Sequence, residues 1–66
     1  RVNCLSPGGI DDNHSKAFKK KYSSYVPLKR MGKVEDLAGA IIFLSSDKSL
    51  YITGENILID GGLSSW

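Results

Sequence analysis

A chain of 66 residues with no visible staple has little means of building a core by itself. A domain near that size buries only about 60% of the surface its unfolded form exposes, so its stability usually depends on disulfides, a metal or a partner chain. Cys4 is the single cysteine and cannot pair within the chain, and His14 is the single histidine, so no Cys/His set for zinc exists. The sequence is therefore expected to lean on other polypeptide. Its opening, Arg1-Val2-Asn3-Cys4-Leu5, reads as strand with no lead-in, as a piece of a longer protein would.

Several classes are excluded at this level. The longest run free of charge, Leu37 to Ser46, falls far short of the roughly 18 to 20 apolar residues that cross a bilayer, so no membrane partner is expected. No basic-then-apolar signal peptide occurs, and one unpaired cysteine fits a reducing compartment; the cytoplasm is the expected location. At 41% hydrophobic and 24% charged, the composition is that of an ordinary soluble α/β protein. Charge is uneven, however. Residues 1–33 carry eight of the nine Lys/Arg and two of the seven acids, whereas residues 34–66 carry one Lys and five acids. The basic half either attracts an anionic ligand or forms the solvated face of a helix.

Local signals give the element order. Val2 to Leu5 is a short apolar run stopped by Ser6-Pro7-Gly8-Gly9, which reads as a buried strand entering a loop. From Ser15 to Val26, Phe18, Tyr22, Tyr25 and Val26 recur at helical spacing, with Lys16, Lys19, Lys20 and Lys21 largely off that stripe; Pro27 ends the segment. A second helix is expected where Val34, Leu37, Ala38, Ile41, Ile42 and Ser45 repeat, with Glu35 and Asp36 opposing the positive end of its dipole. Ala40, Phe43 and Leu44 widen its apolar arc beyond one core face, which predicts a second covered side. Ser46 to Ser49 reads as a turn, and Glu55 to Asp60 as a strand closed by Gly61-Gly62.

Strand, helix, helix, strand implies a parallel pair joined by a crossover. Parallel sheets need helices on both faces and more than two strands, so most of the sheet is expected elsewhere.

Taken together, these segments resemble the short-chain dehydrogenases/reductases over nearly the whole chain. Arg1-Val2-Asn3-Cys4-Leu5-Ser6-Pro7-Gly8 is similar to that family's sixth strand and Pro-Gly turn. Pro27-Leu28-Lys29-Arg30-Met31-Gly32 followed by Glu35-Asp36-Leu37-Ala38 resembles the start of its last helix. Phe43-Leu44-Ser45-Ser46-Asp47, Tyr51-Ile52-Thr53-Gly54-Glu55-Asn56-Ile57 and Asp60-Gly61-Gly62 resemble its helix end, seventh strand and C-terminus.

The resemblance implies the C-terminal part of a Rossmann-like, doubly wound α/β sheet, with residues 1–66 forming part of one NAD(P)-binding domain. It implies an oxidoreductase moving a hydride between NAD or NADP and a small carbonyl or alcohol substrate. In that family backbone groups near the Pro-Gly turn bind the nicotinamide carboxamide, so Pro7, Gly8, Gly9 and Ile10 would touch the cofactor. A loop without bulky side chains at the carboxyl end of a strand suits close approach to a ligand. Where the family often has a threonine two residues after Ile10, this chain has Asp12, a negative charge near the cofactor phosphates unless it turns away.

The lysine-rich helix falls where the family keeps a variable lid over the substrate. Its lysines either favour an anionic substrate or sit in solvent, while Phe18, Tyr22 and Tyr25 pack inward. The last helix and strand pack across a two-fold axis in the family, implying a homodimer or homotetramer that Phe43→Asp would dissociate.

No catalytic or metal-binding residue is assigned to this chain. The family uses a Ser, a Tyr-x-x-x-Lys pair and an Asn, in which the lysine lowers the tyrosine pKa for proton transfer. Tyr25 to Lys29 matches that spacing but follows the Pro-Gly turn, and Pro27 breaks the helix that would align the two. Asn3 reads as a strand residue that bonds backbone. The Gly-rich fingerprint for pyrophosphate is also absent. Two alternatives stand beside the enzyme: a non-catalytic structural subunit, and a nucleic-acid-binding module using the Lys-rich helix. The second conflicts with aromatics on a face that should be buried, and no nucleic acid is expected as a partner.

Overall fold

The computed structural model describes residues 1–65. Strand β1 (Cys4–Pro7) is followed by helix α1 (Lys16–Tyr25), helix α2 (Glu35–Ser45), a single 3-10 turn (Asp47–Ser49), strand β2 (Asn56–Ile59) and a closing 3-10 turn (Leu63–Ser65). The strands are parallel neighbours, with Cys4 opposite Asn56 and Pro7 opposite Ile59, as the strand, helix, helix, strand order requires.

One boundary differs from the sequence reading in an instructive way. The strand runs through Ser6-Pro7 rather than stopping at Leu5. Cys4 N–H donates to the Glu55 carbonyl at 2.8 Å and Gly8 N–H to the Ile59 carbonyl at 2.9 Å, so the N–H groups of even-numbered residues face β2. Pro7 is odd-numbered; its missing N–H lies on the side away from β2, where no ladder bond is lost.

The helices start where their first residues can bond free backbone donors. Ser15 caps α1, its hydroxyl accepting from Phe18 N–H at 3.2 Å, and Val26 closes it before Pro27. At α2 the Asp36 carboxylate accepts from Lys33 N–H at 2.8 Å, one turn before the helix. At the other end Arg1 bonds the Leu44 and Ser46 carbonyls at 3.2 and 3.3 Å, joining the start of the chain to the C-terminus of α2. Asn3 bonds backbone, as read from the sequence: its amide donates to the Ile52 carbonyl at 3.1 Å and accepts from Glu55 N–H at 3.0 Å, fixing the approach to β2.

Past β2 the chain turns back at Gly61, whose φ is +65°. A Cβ there would stand 2.6 Å from Val26 Cγ1, so glycine lets the end of α1 close on the end of β2. Val26 and Met31 are the buried apolar residues among those described, whereas Val2, Ile42, Tyr51 and Leu58 are exposed. The radius of gyration, 13.7 Å, exceeds the roughly 11 Å of a compact chain of this length. This is a layer of a sheet with its crossover, and its apolar surface calls for covering polypeptide.

Candidate functional site

The carboxyl end of β1 carries the four residues expected at the site. Gly8 passes so close over β2 that a Cβ would stand 2.7 Å from Asp60 Cβ and 2.9 Å from Asp60 Cα. At Gly9 a Cβ would lie 2.4 Å from Tyr22 Cζ, and its N–H donates to the Tyr22 hydroxyl at 2.8 Å. Both glycines are thus accounted for by neighbours within the chain: their open faces admit Asp60 and Tyr22.

Ile10 differs from them. It forms a parallel bridge with Gly32, in which Gly32 N–H donates to the Gly9 carbonyl and Asp11 N–H to the Gly32 carbonyl, both at 2.9 Å. In such a bridge the central residue's own N–H and C=O face the opposite way. Among the described residues those two groups of Ile10 have no partner. They offer one donor and one acceptor side by side, the complement of a primary carboxamide, which has one carbonyl and one NH₂.

Beside this turn lies a cleft of about 200 Å³, lined by Ile10, Leu28, Ile59 and Asp60 and closed by Arg30 and Asp36. Arg30 grips Asp36 as a two-pronged fork at 2.8 and 3.1 Å. That hydrogen bonding, with the Lys33 N–H, holds the Asp36 carboxyl down at about 2. Sequence reasoning placed Asp36 only as a partner of the helix dipole; its fork with Arg30 spans a Gly-containing turn for which no spacing rule exists. Asp60 is likewise held below the ordinary carboxylate range, first by the Ser64 hydroxyl at 2.6 Å and then by Gly62 N–H at 2.9 Å.

Helix α1 stands over the turn. Lys19 Nζ meets Asp11 Oδ2 at 3.0 Å, and Tyr22 reaches Gly9. The rings of His14 and Phe18 stack with centroids 4.7 Å apart, and those of Phe18 and Tyr22 with centroids 6.2 Å apart. Of the three aromatics expected to pack inward, one is covered by this chain itself. Tyr22 is half-buried, but Phe18 and Tyr25 are 47% and 57% exposed, because helical spacing groups side chains on a face without supplying what covers it. Asp12 is exposed, and its N–H donates to His14 Nδ1 at 3.3 Å. Lys16, Lys20 and Lys21 are exposed as well.

Tyr25 is the last residue of α1 and Lys29 lies in the next turn at φ +59°, so the pair does not share a helix face. The described residues contain no group of three His, Cys, Asp or Glu able to hold a metal, and no helix among them is long and apolar enough to cross a membrane.

Comparison with known proteins agrees with this architecture. The sequence model of a family described as Enoyl-(Acyl carrier protein) reductase matches residues 1–64. A 3-oxoacyl-[acyl-carrier-protein] reductase of Buchnera aphidicola is 47% identical over 66 residues, covering 94% of this chain and 27% of that protein. The crystal structure of a short chain dehydrogenase from Leptospira borgpetersenii with bound NAD+ superposes with a TM-score of 0.90 at 53% identity, covering 97% of this chain and 25% of that one. A gluconate 5-dehydrogenase from Burkholderia cenocepacia, in complex with NADP and tartrate, gives a TM-score of 0.88 at 33% identity, covering 100% of this chain and 28% of that one. The chain spans about a quarter of the length of the relatives it matches.

Proposed function

The chain belongs to the short-chain dehydrogenase/reductase family, and on that premise we propose that it forms the nicotinamide side of an NAD- or NADP-dependent oxidoreductase acting on a carbonyl or alcohol. The observation that carries the reading is Ile10, whose N–H and C=O are turned out of the Gly32 bridge as a matched donor and acceptor. Pro7, Gly8 and Gly9 bring that residue to the end of β1 and keep the main chain low. Ile10 would then hold the carboxamide and fix which face of the ring is presented.

When bound, the cofactor supplies or accepts the hydride. This chain's residues bind, orient and cover; the family's Ser and Tyr-x-x-x-Lys, which move the proton, are not among them. Helix α1, tied to the turn by Tyr22 and Lys19, serves as part of the cover over the substrate. Bound small-molecule cofactors in relatives such as the Leptospira and Burkholderia proteins support the same assignment here.

The outer side of α2, with Ile41 and Ile42 at 51% and 68% exposure, and Leu58 on β2 at 57%, serves as a surface between copies in a homodimer or homotetramer. A cytoplasmic location goes with this reading.

Binding to the intact protein tests it. The reduced dinucleotide that the protein prefers should bind several-fold tighter than the matching ADP-ribose or 2′-phospho-ADP-ribose, which lack the nicotinamide. Equal affinity for the two would overturn the proposal.

A further inference from the structure

Resting on the reading of Ile10 as the carboxamide grip, we infer that Tyr22 is a positioning residue for the cofactor, with Lys19 as a second tether. The residues on either side of Ile10 are each held twice. The Gly9 carbonyl accepts from Gly32 N–H, and the Gly9 N–H donates to the Tyr22 hydroxyl at 2.8 Å. The Asp11 N–H donates to the Gly32 carbonyl, and the Asp11 carboxylate pairs with Lys19 at 3.0 Å. One hold in each case comes from the Gly32 turn and the other from α1. Gly32 holds the two peptide planes that carry the Ile10 N–H and C=O, and α1 braces them from either side through the Gly8–Gly9 plane and the Asp11 side chain.

Tyr22 is itself braced. Its ring continues the stack that begins at His14 and passes through Phe18, and it fills the space a Cβ at Gly9 would take. The phenol oxygen is therefore delivered to Gly9 by a ring set between Gly9 and the half-exposed Phe18. The Gly9 N–H is satisfied by this oxygen, so removing it frees the Gly8–Gly9 peptide plane, which adjoins the Gly9–Ile10 plane that carries the Ile10 N–H. Grip on the nicotinamide then depends on a helix whose side chains act through the turn. A helix over the substrate and a loop under the cofactor become one unit, and displacing the first loosens the second.

The discriminating variant is Tyr22→Phe in the intact protein, which keeps the ring and its stack and deletes only the acceptor. Affinity for the reduced dinucleotide should fall about five- to tenfold, the scale of one lost hydrogen bond to a half-buried N–H, while ADP-ribose affinity stays within about twofold. Cofactor KM should rise with it. Equal weakening of both ligands, or unchanged preference for the dinucleotide, overturns the positioning role. Lys19→Met provides a second arm at a half-exposed position. A loss of preference of about two- to threefold, restored by Lys19→Arg, supports the tether, and no loss removes it. The two proposals fail separately: a wild-type protein without preference for the dinucleotide defeats the carboxamide grip itself, whereas a preference that survives Tyr22→Phe defeats only the role of Tyr22.

Discussion

Two regions of this small molecule are finished to different degrees. At the carboxyl end of the strands, Gly8, Gly9, Ile10 and Asp11 are fixed by β2, the Gly32 turn and α1, and the Arg30–Asp36 fork closes the cleft beside them. Across α2 and β2, Ile41, Ile42 and Leu58 stay 51%, 68% and 57% exposed. Polar contacts made over short range complete the first region with this chain's own residues. The second is an apolar surface, and apolar surface gains only from being covered. The difference separates what the chain determines by itself, a braced turn after β1, from what it leaves to other polypeptide.

The comparison can be broken at its tightest point first. Gly9→Val places side-chain atoms where the Tyr22 ring lies, and α1 must move. An overpacking cost of about 2 to 3 kcal/mol and loss of dinucleotide binding are expected, read by a urea melt and a fluorescence titration. Unchanged binding would mean that α1 and the turn are independent.

Ile42→Asp addresses the open region. A charge at this 68%-exposed position should leave the fold of the subunit intact and split the oligomer, as light scattering would show by a drop in mass. It is a cleaner probe than Phe43→Asp, because Phe43 is only 39% exposed. An unchanged mass would contradict the proposed surface between copies.

The fork sharpens the comparison through pH. Asp36 is held at about 2, below the ordinary 3.8, so its contribution to stability is complete above about pH 5 and is lost as pH falls through 4 toward 2. Arg30→Gln should lower the melting temperature near neutrality, and its gap from the wild type should narrow from pH 5 to pH 2.5. A gap independent of pH would show that the fork does not stabilise the fold. The smallest effect is expected from Ser15→Ala, which removes the N-cap of α1 at a cost of about 1 kcal/mol and should leave the oligomer unaffected.

Much of the fold was legible because local rules carried it. Turn residues at Ser6 to Gly9 and Gly61-Gly62 bracketed the strands, helical spacing gave α1 and α2, and two strands separated by helices implied the parallel pair that is found. Pro7 was read too locally; whether a proline ends a strand depends on which edge its missing N–H faces, and parity is known only once the partner is known. The turn proposed to meet the cofactor was legible at the same level, through the Pro-Gly pair. Its workings were not. That Gly9 admits Tyr22, that Asp11 meets Lys19, and that Ile10 has its peptide groups to spare all depend on contacts across loops, where spacing carries no periodic signal. The exposed Phe18 and Tyr25 teach the same point: a stripe in sequence identifies a face, and only structure identifies its cover.

The most direct test of the central claim is a crystal structure of the intact protein with its bound nicotinamide dinucleotide. The account predicts the carboxamide within hydrogen-bonding distance, roughly 2.7 to 3.2 Å, of Ile10 N and Ile10 O, with Tyr22 still on Gly9. A carboxamide held by other residues, with the Ile10 groups facing solvent or another strand, would contradict it.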